Sequence, residues 1–205
     1  MKTIYFNSAV AELCGNNGII KAVLINYIYN YHTSNPRKGA GHPACITLPD
    51  FVYQYQVEEK GLWERSYIHE TLTTLVTDGH VIKAGEKNRP EYTVSRAVVD
   101  LLTDDTAEIV SFDLRLAYEQ GLHVAIMKQF LLHVIDKAPD GQAYNLKVGD
   151  MSAVNRLSPA QIYRAIKHLV DTKVLKRVKS RLRFRSRALS LARFNPKIDQ
   201  NRQVA

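Results

Sequence analysis

The stretch Gln161-Ile-Tyr-Arg-Ala-Ile-Lys-His-Leu-Val-Asp-Thr-Lys-Val-Leu175 decides the fold that the sequence predicts. Its apolar residues recur at helical spacing, which predicts a helix with one buried face: Ile162, Ala165, Ile166, Leu169 and Val170. Just upstream, Ser158 and Pro159 are typical of a helix N-cap and of the first helical position. Residues 174–191 then predict a β-hairpin, so that a helix leads directly into two paired strands.

A weaker copy of this pattern lies in the first half of the chain. Residues 22–30 and 125–133 are chemically similar apart from the pairs Ile25/Lys128 and Tyr29/Leu132. Flanking matches follow in the same order: Phe6-Asn7 with Phe112-Asp113, Gly15 with Gly121, residues 48–51 with residues 148–151, and Ile68, Leu72, Leu75, Val76 and Val81 with Ile162, Ile166, Leu169, Val170 and Leu175. Ordered matches of this kind predict an internal duplication. We expect two domains, residues 1–104 and residues 105–205.

Each copy predicts the same order of elements: helix, short strand, helix, turn, helix and hairpin. In the first copy these are a helix at residues 19–31, a strand at residues 46–48, a helix that starts at Pro49, a helix from near Trp63 to Asp78-Gly79, and a hairpin at residues 80–83 and 92–94. In the second they are a helix at residues 124–135, a strand at residues 144–147, a short helix after Val148, the helix after Ser158-Pro159, and the closing hairpin. The predicted fold class is mostly α with small β-hairpin wings, that is, α+β.

This order resembles the winged helix-turn-helix fold. The stretch Ser66-Tyr-Ile-His-Glu-Thr-Leu-Thr-Thr-Leu-Val-Thr-Asp-Gly-His-Val81 and the stretch at 161–175 resemble the recognition helix and first wing strand of many bacterial and phage regulators and replication proteins. The tandem arrangement is also similar to that of plasmid replication initiators. The resemblance implies two tandem winged helix domains, each with a third helix that enters the major groove of DNA.

Charge divides the two halves sharply. Residues 1–105 hold 10 Lys and Arg against 12 Asp and Glu, a net charge of −2, whereas residues 106–205 hold 18 against 8, a net charge of +10. From Lys173 to Lys197 there are ten basic residues and no acidic one. Such asymmetry predicts a polyanionic partner for the second half.

The resemblance directs attention to the exposed positions of the helix at 160–171. Gln161 has the chemistry to read an adenine and Arg164 a guanine, whereas Lys167 and Lys173 suit phosphate. Tyr163 and His168 complete the helix contacts that we expect. In the hairpin, Lys179 precedes four arginines that alternate along a predicted strand and would therefore share one face: Arg181, Arg183, Arg185 and Arg187. Like charges on one face repel unless a polyanion neutralises them, and a DNA duplex would do so.

The first domain is expected to bind DNA weakly or to bind protein. Its third helix carries Glu64 and Glu70, which repel phosphate, and the charges of residues 86–91 are balanced. Its first helix has a second apolar stripe away from the core face: Ala22, Ile25 and Tyr29. We interpret this stripe either as a dimer or partner face or, with equal weight, as a surface that packs against the other domain or the N-terminal segment.

Other classes find little support in the sequence. It contains no Gly-rich phosphate loop, Ser/His/Asp signature or paired-carboxylate motif, so we expect neither an enzyme nor a cofactor. The candidate metal ligands Cys14, His32, His42 and Cys45 match no zinc spacing, and we expect no metal. No apolar run is long enough to cross a membrane and the amino terminus does not resemble a signal peptide, so we expect a cytoplasmic protein.

These observations lead to one main hypothesis and two alternatives. The main hypothesis is a sequence-specific double-stranded DNA-binding protein, a homodimeric transcriptional regulator of a phage or other mobile element. The first alternative is a replication initiator that binds origin repeats. The second is a tandem winged helix scaffold subunit of a chromosome-organising complex, which the strongly basic second half disfavours. The sequence leaves open the DNA site, any effector ligand, the oligomeric state, and activation against repression.

Overall fold

The computed structural model describes residues 2–34, 46–57, 60–86, 89–136, 144–177 and 188–194. The chain divides into two compact units, Lys2–Val110 and Ser111–Ala205. Both are mostly helical with small antiparallel strand pairs, so the predicted α+β class is confirmed at that level. The unit boundary falls a few residues after the boundary that we expected at residue 104.

The first unit contains five helices and five strands among its described residues. They are β1 (Thr3–Asn7), α1 (Ser8–Leu13), α2 (Gly18–Ser34), α3 (Leu48–Gln54), β2 (Gln56–Val57), β3 (Lys60–Gly61), α4 (Arg65–Thr77), β4 (Val81–Glu86), β5 (Arg89–Val94) and α5 (Arg96–Leu102). Strands β4 and β5 form the predicted hairpin, in register from Val81↔Val94 to Glu86↔Arg89. Gly79, with φ +75°, adopts the left-handed conformation that turns the chain from α4 towards β4.

Helix α2 is the centre of the first unit. It packs against α1, β1, α4 and β5, and apolar side chains on several sides of it are therefore buried. This corrects our interpretation of the partner face: Ala22 and Ile25 are fully buried, and Tyr29 is half-buried. Because packing within the chain removes these side chains from the surface, they do not form an exposed dimer seam.

One charged side chain enters this core, and it is paired. The Lys21 ammonium lies 3.1 Å from Asp78 Oδ2 and also donates a hydrogen bond to the Cys14 carbonyl oxygen at 3.2 Å. The Lys21 side chain is only 10% exposed, so these acceptors offset the loss of its hydration. The ion pair joins α2 to the C-terminal end of α4 and so restrains the position of α4 relative to α2.

The strand predicted at residues 46–48 is wrong. Thr47 is instead the N-cap of α3, which begins at Leu48. The backbone N–H and the hydroxyl of Thr47 both donate to Asp50 Oδ2 at 2.7 Å. Because these groups are occupied by the helix cap, the backbone N–H of Thr47 does not serve a strand ladder.

The second unit has a similar order of helices, with a strand between its long helix and the next short helix that the described part of the first unit does not have. Its elements, with β6 starting just before the unit boundary, are β6 (Ile109–Asp113), α6 (Leu114–Gln120), α7 (Leu122–Asp136), β7 (Tyr144–Lys147), α8 (Val148–Asn155), α9 (Pro159–Asp171), β8 (Leu175–Arg177) and β9 (Ala188–Phe194). Helix α7 packs on α6 and α9, and α8 packs on α9. Strand β9 pairs antiparallel with both β7 and β8, which confirms the predicted strand at residues 144–147 and the closing hairpin.

Both units begin with the same local motif. Asn7 and Asp113 end a strand and cap the following helix, each in extended conformation with ψ 126°. Their side chains accept the backbone N–H three residues on, from Val10 at 3.1 Å and from Leu116 at 2.6 Å. A glycine with positive φ then separates this short helix from the long one that follows, at Gly15 and at Gly121. The sequence alignment had paired these same residues.

No helix within the described ranges combines the length and hydrophobicity needed to cross a membrane.

Candidate nucleic-acid interface

Helix α9 starts with a capping box. Ser158 Oγ accepts the Gln161 backbone N–H at 3.3 Å, and the Gln161 side-chain oxygen accepts the Ser158 backbone N–H at 2.8 Å. Pro159 occupies the first helical position, where the missing N–H costs nothing. The start of α9 is thus well defined, and the amide of Gln161, which we predicted to read a base, has a structural role in the free chain.

The buried face of α9 fixes which side chains point outwards. The side chains of Ile162, Ala165, Ile166 and Leu169 are at most 1% exposed. On the opposite side, four exposed residues at helical spacing form a surface that we call the α9 face: Ala160, Tyr163, Arg164 and Lys167. Core packing therefore presents this face to the outside without any help from a ligand.

The α9 face offers two cations and one aromatic ring. Arg164 Nε donates to the Ala160 carbonyl oxygen at 3.3 Å, which leaves the terminal guanidinium nitrogens for other acceptors. Within the described part of the chain, Lys167 makes no ion pair or hydrogen bond through its side chain. Tyr163 is 41% exposed, large for an aromatic residue on a helix. The face can therefore donate several hydrogen bonds to an anionic or polar partner.

His168, which we also expected to contact DNA, lies at the edge of this surface. It is half-buried, and its Nε2 lies 3.2 Å from the side-chain oxygen of Gln120. Its ring is therefore positioned by the second unit itself. A contact to a partner would have to use the remaining exposed edge of the ring.

His123 belongs to the same cluster and was missed by the sequence reasoning. Burial, with added repulsion from Arg164 and His168, holds the pKa of His123 below its ordinary value. The ring is neutral near pH 7 because a further positive charge is unfavourable beside the cations of α9. Nothing in the sequence around position 123 marks it, since only the packing of α7 on α9 brings it there.

The remaining predicted contacts divide into two groups. Lys173 is exposed immediately after α9, in the left-handed conformation with φ +60°. It adds a further exposed positive charge close to the C-terminal end of α9. The other group lies between β8 and β9, outside the described residues: Lys179, Arg181, Arg183, Arg185 and Arg187.

Helix α4, the counterpart of α9 in the first unit, has a different outer surface. Glu64 occupies the N-cap position without a capping hydrogen bond from its side chain, and Glu70 is exposed on the first turns together with Arg65 and His69. Four threonine hydroxyls donate to carbonyl oxygens one turn earlier, at 2.7–3.0 Å: Thr71, Thr73, Thr74 and Thr77. Helix α4 therefore offers a partner acidic groups and few free hydroxyl donors, unlike α9.

Metal chemistry finds no built site in the described ranges, where no three His, Cys, Asp or Glu side chains are grouped to hold an ion. Of the candidate ligands, Cys14 is buried, and burial raises the pKa of its thiol to about 11. The ring of His32 lies 2.7 Å from the Tyr92 carbonyl oxygen. His42 and Cys45 lie outside the described residues.

Comparison of the chain with protein-family models, with curated proteins and with solved structures found no match. The function is therefore inferred from the sequence and the geometry of the chain.

Proposed function

We propose that this chain is a sequence-specific double-stranded DNA-binding protein, a transcriptional regulator built from two tandem winged helix domains. In this proposal the two domains arose by internal duplication, and the second carries most of the affinity for DNA.

The repeated local motifs support the duplication. Each unit includes, in this order, a strand, a short helix with a side-chain N-cap, a positive-φ glycine, a long helix, a short helix, a further helix and antiparallel strands, and the aligned cap residues and glycines occupy equivalent places. A helix that leads into a pair of antiparallel strands, packed on two further helices, is the arrangement expected of a winged helix domain.

The α9 face is the observation that carries the proposal for function. It places Tyr163, Arg164 and Lys167 on the outer side of a rigidly capped helix, directly before the strands that flank the most basic segment of the chain. A helix of this kind fits the major groove, where Arg164 can donate to a guanine edge and Lys167 to a backbone phosphate.

The two units would then divide the work. The acidic residues Glu64 and Glu70 on α4 would repel phosphate, so we propose that the first unit contacts protein, either a second copy of the chain or another partner. Its contact surface is not the stripe of Ala22 and Ile25, which is buried.

Selection of bound duplexes from a random-sequence pool at about 150 mM salt tests the proposal, because non-specific electrostatic binding weakens steeply with salt. We expect enrichment of one motif, with an inverted repeat if two copies bind symmetrically. Enriched direct repeats would favour the alternative of a replication initiator that binds origin repeats. Binding without any enriched sequence would contradict sequence-specific recognition and would favour the alternative of a scaffold subunit of a chromosome-organising complex.

A further inference from the structure

A cavity of about 300 Å³ opens in the first unit, far along the chain from the α9 face. It lies between β1, the outer part of α2 and the end of α3. None of the described residues that line it is charged: Thr3, Ile4, Tyr5, Val23, Asn26, Tyr27, Asn30, Tyr31, Ser34, Gln54 and Tyr55. The lining instead combines four tyrosine rings with three side-chain amides.

The aromatic part of the lining is preorganised. The Tyr27 ring lies 6.1 Å from the Tyr31 ring and 6.2 Å from the Tyr55 ring, in tilted and edge-on geometries. The Tyr55 hydroxyl donates to the Val23 carbonyl oxygen at 3.3 Å, which anchors that ring in the core. Burial, and then the Asp50 carboxylate and Tyr31, raises the pKa of Tyr27. The Tyr27 hydroxyl therefore stays protonated near neutral pH and remains a hydrogen-bond donor.

The amides differ in how they are used. Asn26 Nδ2 donates to the Tyr5 carbonyl oxygen at 3.1 Å and so ties β1 to α2. The side-chain amides of Asn30 and Gln54, in contrast, have no hydrogen-bond partner among the described residues. Each amide presents a donor and an acceptor in one plane, at the wall of the cavity.

We propose that this cavity binds an uncharged nucleobase or nucleoside. Aromatic rings stack on the flat face of any base, and a free amide pairs with the neighbouring donor and acceptor of a base edge. The volume is at the lower end for ligand sites, which fits one nucleoside rather than a dinucleotide. Among the described residues, the lining includes no cation for a phosphate group; Lys2 donates to the carbonyl oxygen of Gln54 but does not itself line the cavity.

A monosaccharide is the strongest competitor for a neutral site with tyrosine walls. The acceptors argue against it, because a sugar presents several hydroxyl donors at different angles and the described lining residues include no carboxylate to accept them. Nucleoside binding at this place does not depend on DNA recognition by α9, so each can fail without the other.

Isothermal titration of the full-length protein with adenosine, guanosine, cytidine and uridine, and separately with glucose, tests the site. We expect saturable one-to-one binding of at least one nucleoside, no binding of glucose, and about tenfold weaker nucleoside binding in Asn30→Ala, because one hydrogen-bonding contact to the base edge is lost. The matched control is Asn16→Ala, which removes an exposed amide from the turn between α1 and α2 and should bind like the parent.

Three results would overturn the proposal. The first is the absence of binding by every nucleoside at about 5 mM, since a weaker interaction would fall below the range of a specific site. The second is binding of glucose in preference to nucleosides. The third is nucleoside binding that neither Asn30→Ala nor Gln54→Ala weakens relative to Asn16→Ala. Asn30 is exposed and Gln54 is half-buried, so alanine is expected to be tolerated at both positions, and equal thermal unfolding of the variants verifies that each is folded.

Discussion

Replacement of Lys167 by alanine should weaken binding to every duplex and should do so in a salt-dependent way. Lys167 is exposed on α9, and no described residue pairs with its ammonium, so the whole charge is available to a phosphate. One phosphate contact contributes about 0.9 to the slope of log affinity against log salt concentration. Between about 50 and 200 mM salt, a fourfold change, that contact loses about 3.5-fold in affinity. The ratio of the affinity of the parent to the affinity of Lys167→Ala should therefore fall by about this factor between these two salt concentrations.

The measurement is a fluorescence anisotropy titration of a labelled duplex at several salt concentrations, with both the selected sequence and a scrambled one. The matched control is Arg96→Ala, which removes one positive charge from a helix of the first unit. The Arg96 side chain is 92% exposed and, within the described ranges, pairs only with Asp100 at 3.4 Å, so its removal should leave affinity and slope close to those of the parent. An unchanged salt slope in Lys167→Ala, or an equal loss in Arg96→Ala, would refute the assignment of the α9 face.

Three further results are expected. Ser158→Ala should lower the free energy of unfolding by about 1 kcal/mol in urea denaturation, because α9 loses its N-cap acceptor; a change near zero would show that the cap is not needed. The pKa of His123 is held below its ordinary 6.5, so below about pH 6.5 the unfolded chain binds more protons than the folded one. The free energy of unfolding should therefore decrease as the pH drops below 6.5. His123→Gln should flatten this fall, and an identical pH profile would contradict the assignment. Finally, alanine at all four alternating arginines should remove most affinity on all DNA and flatten the salt slope, whereas parental binding would rule out their predicted role: Arg181, Arg183, Arg185 and Arg187.

The parts of the fold that depend on periodicity were predictable. The spacing of Ile162, Ile166 and Leu169 and the helix-start residues Ser158 and Pro159 predict helix α9. The structure has this helix at Pro159–Asp171. The hairpin of β4 and β5 follows from two apolar runs around a polar turn. In these segments local preference and tertiary packing point the same way, which is why a pattern in the sequence suffices.

The short elements were not predictable in the same way. Helices α1, α5 and α6 span only six or seven residues each, too short to show a full apolar period. The residues at 46–48 look like a strand by composition, yet Asp50 recruits Thr47 as a helix cap. Hydrogen bonds from the backbone and the side chain of Thr47 to Asp50 stabilise the helix start there, and composition does not report such contacts.

The candidate interface was predictable only in part. Spacing placed Arg164 and Lys167 on the outer face of their helix, where the structure has them. Spacing did not show that Gln161 is engaged with Ser158, that His168 is held by Gln120, or that His123 joins the cluster. The last two depend on residues distant in the chain. The sequence also left open what covers Ala22 and Ile25, because an apolar stripe on a helix does not reveal whether the chain itself or a partner covers it; the structure has both residues buried within the chain.

The most direct test of the central claim, that the α9 face reads the major groove, is binding to the selected duplex with 7-deazapurines substituted one position at a time. This change removes the N7 acceptor from the major groove and keeps base pairing and phosphates intact. We expect a loss of about 1–3 kcal/mol at one or more positions, and no further loss at the same positions in Arg164→Ala, because the two changes remove the same contact. Two results would contradict the claim that the α9 face reads the major groove. One is full affinity at every substituted position, and the other is an equal loss of affinity on 7-deazapurine substitution in the parent and in Arg164→Ala.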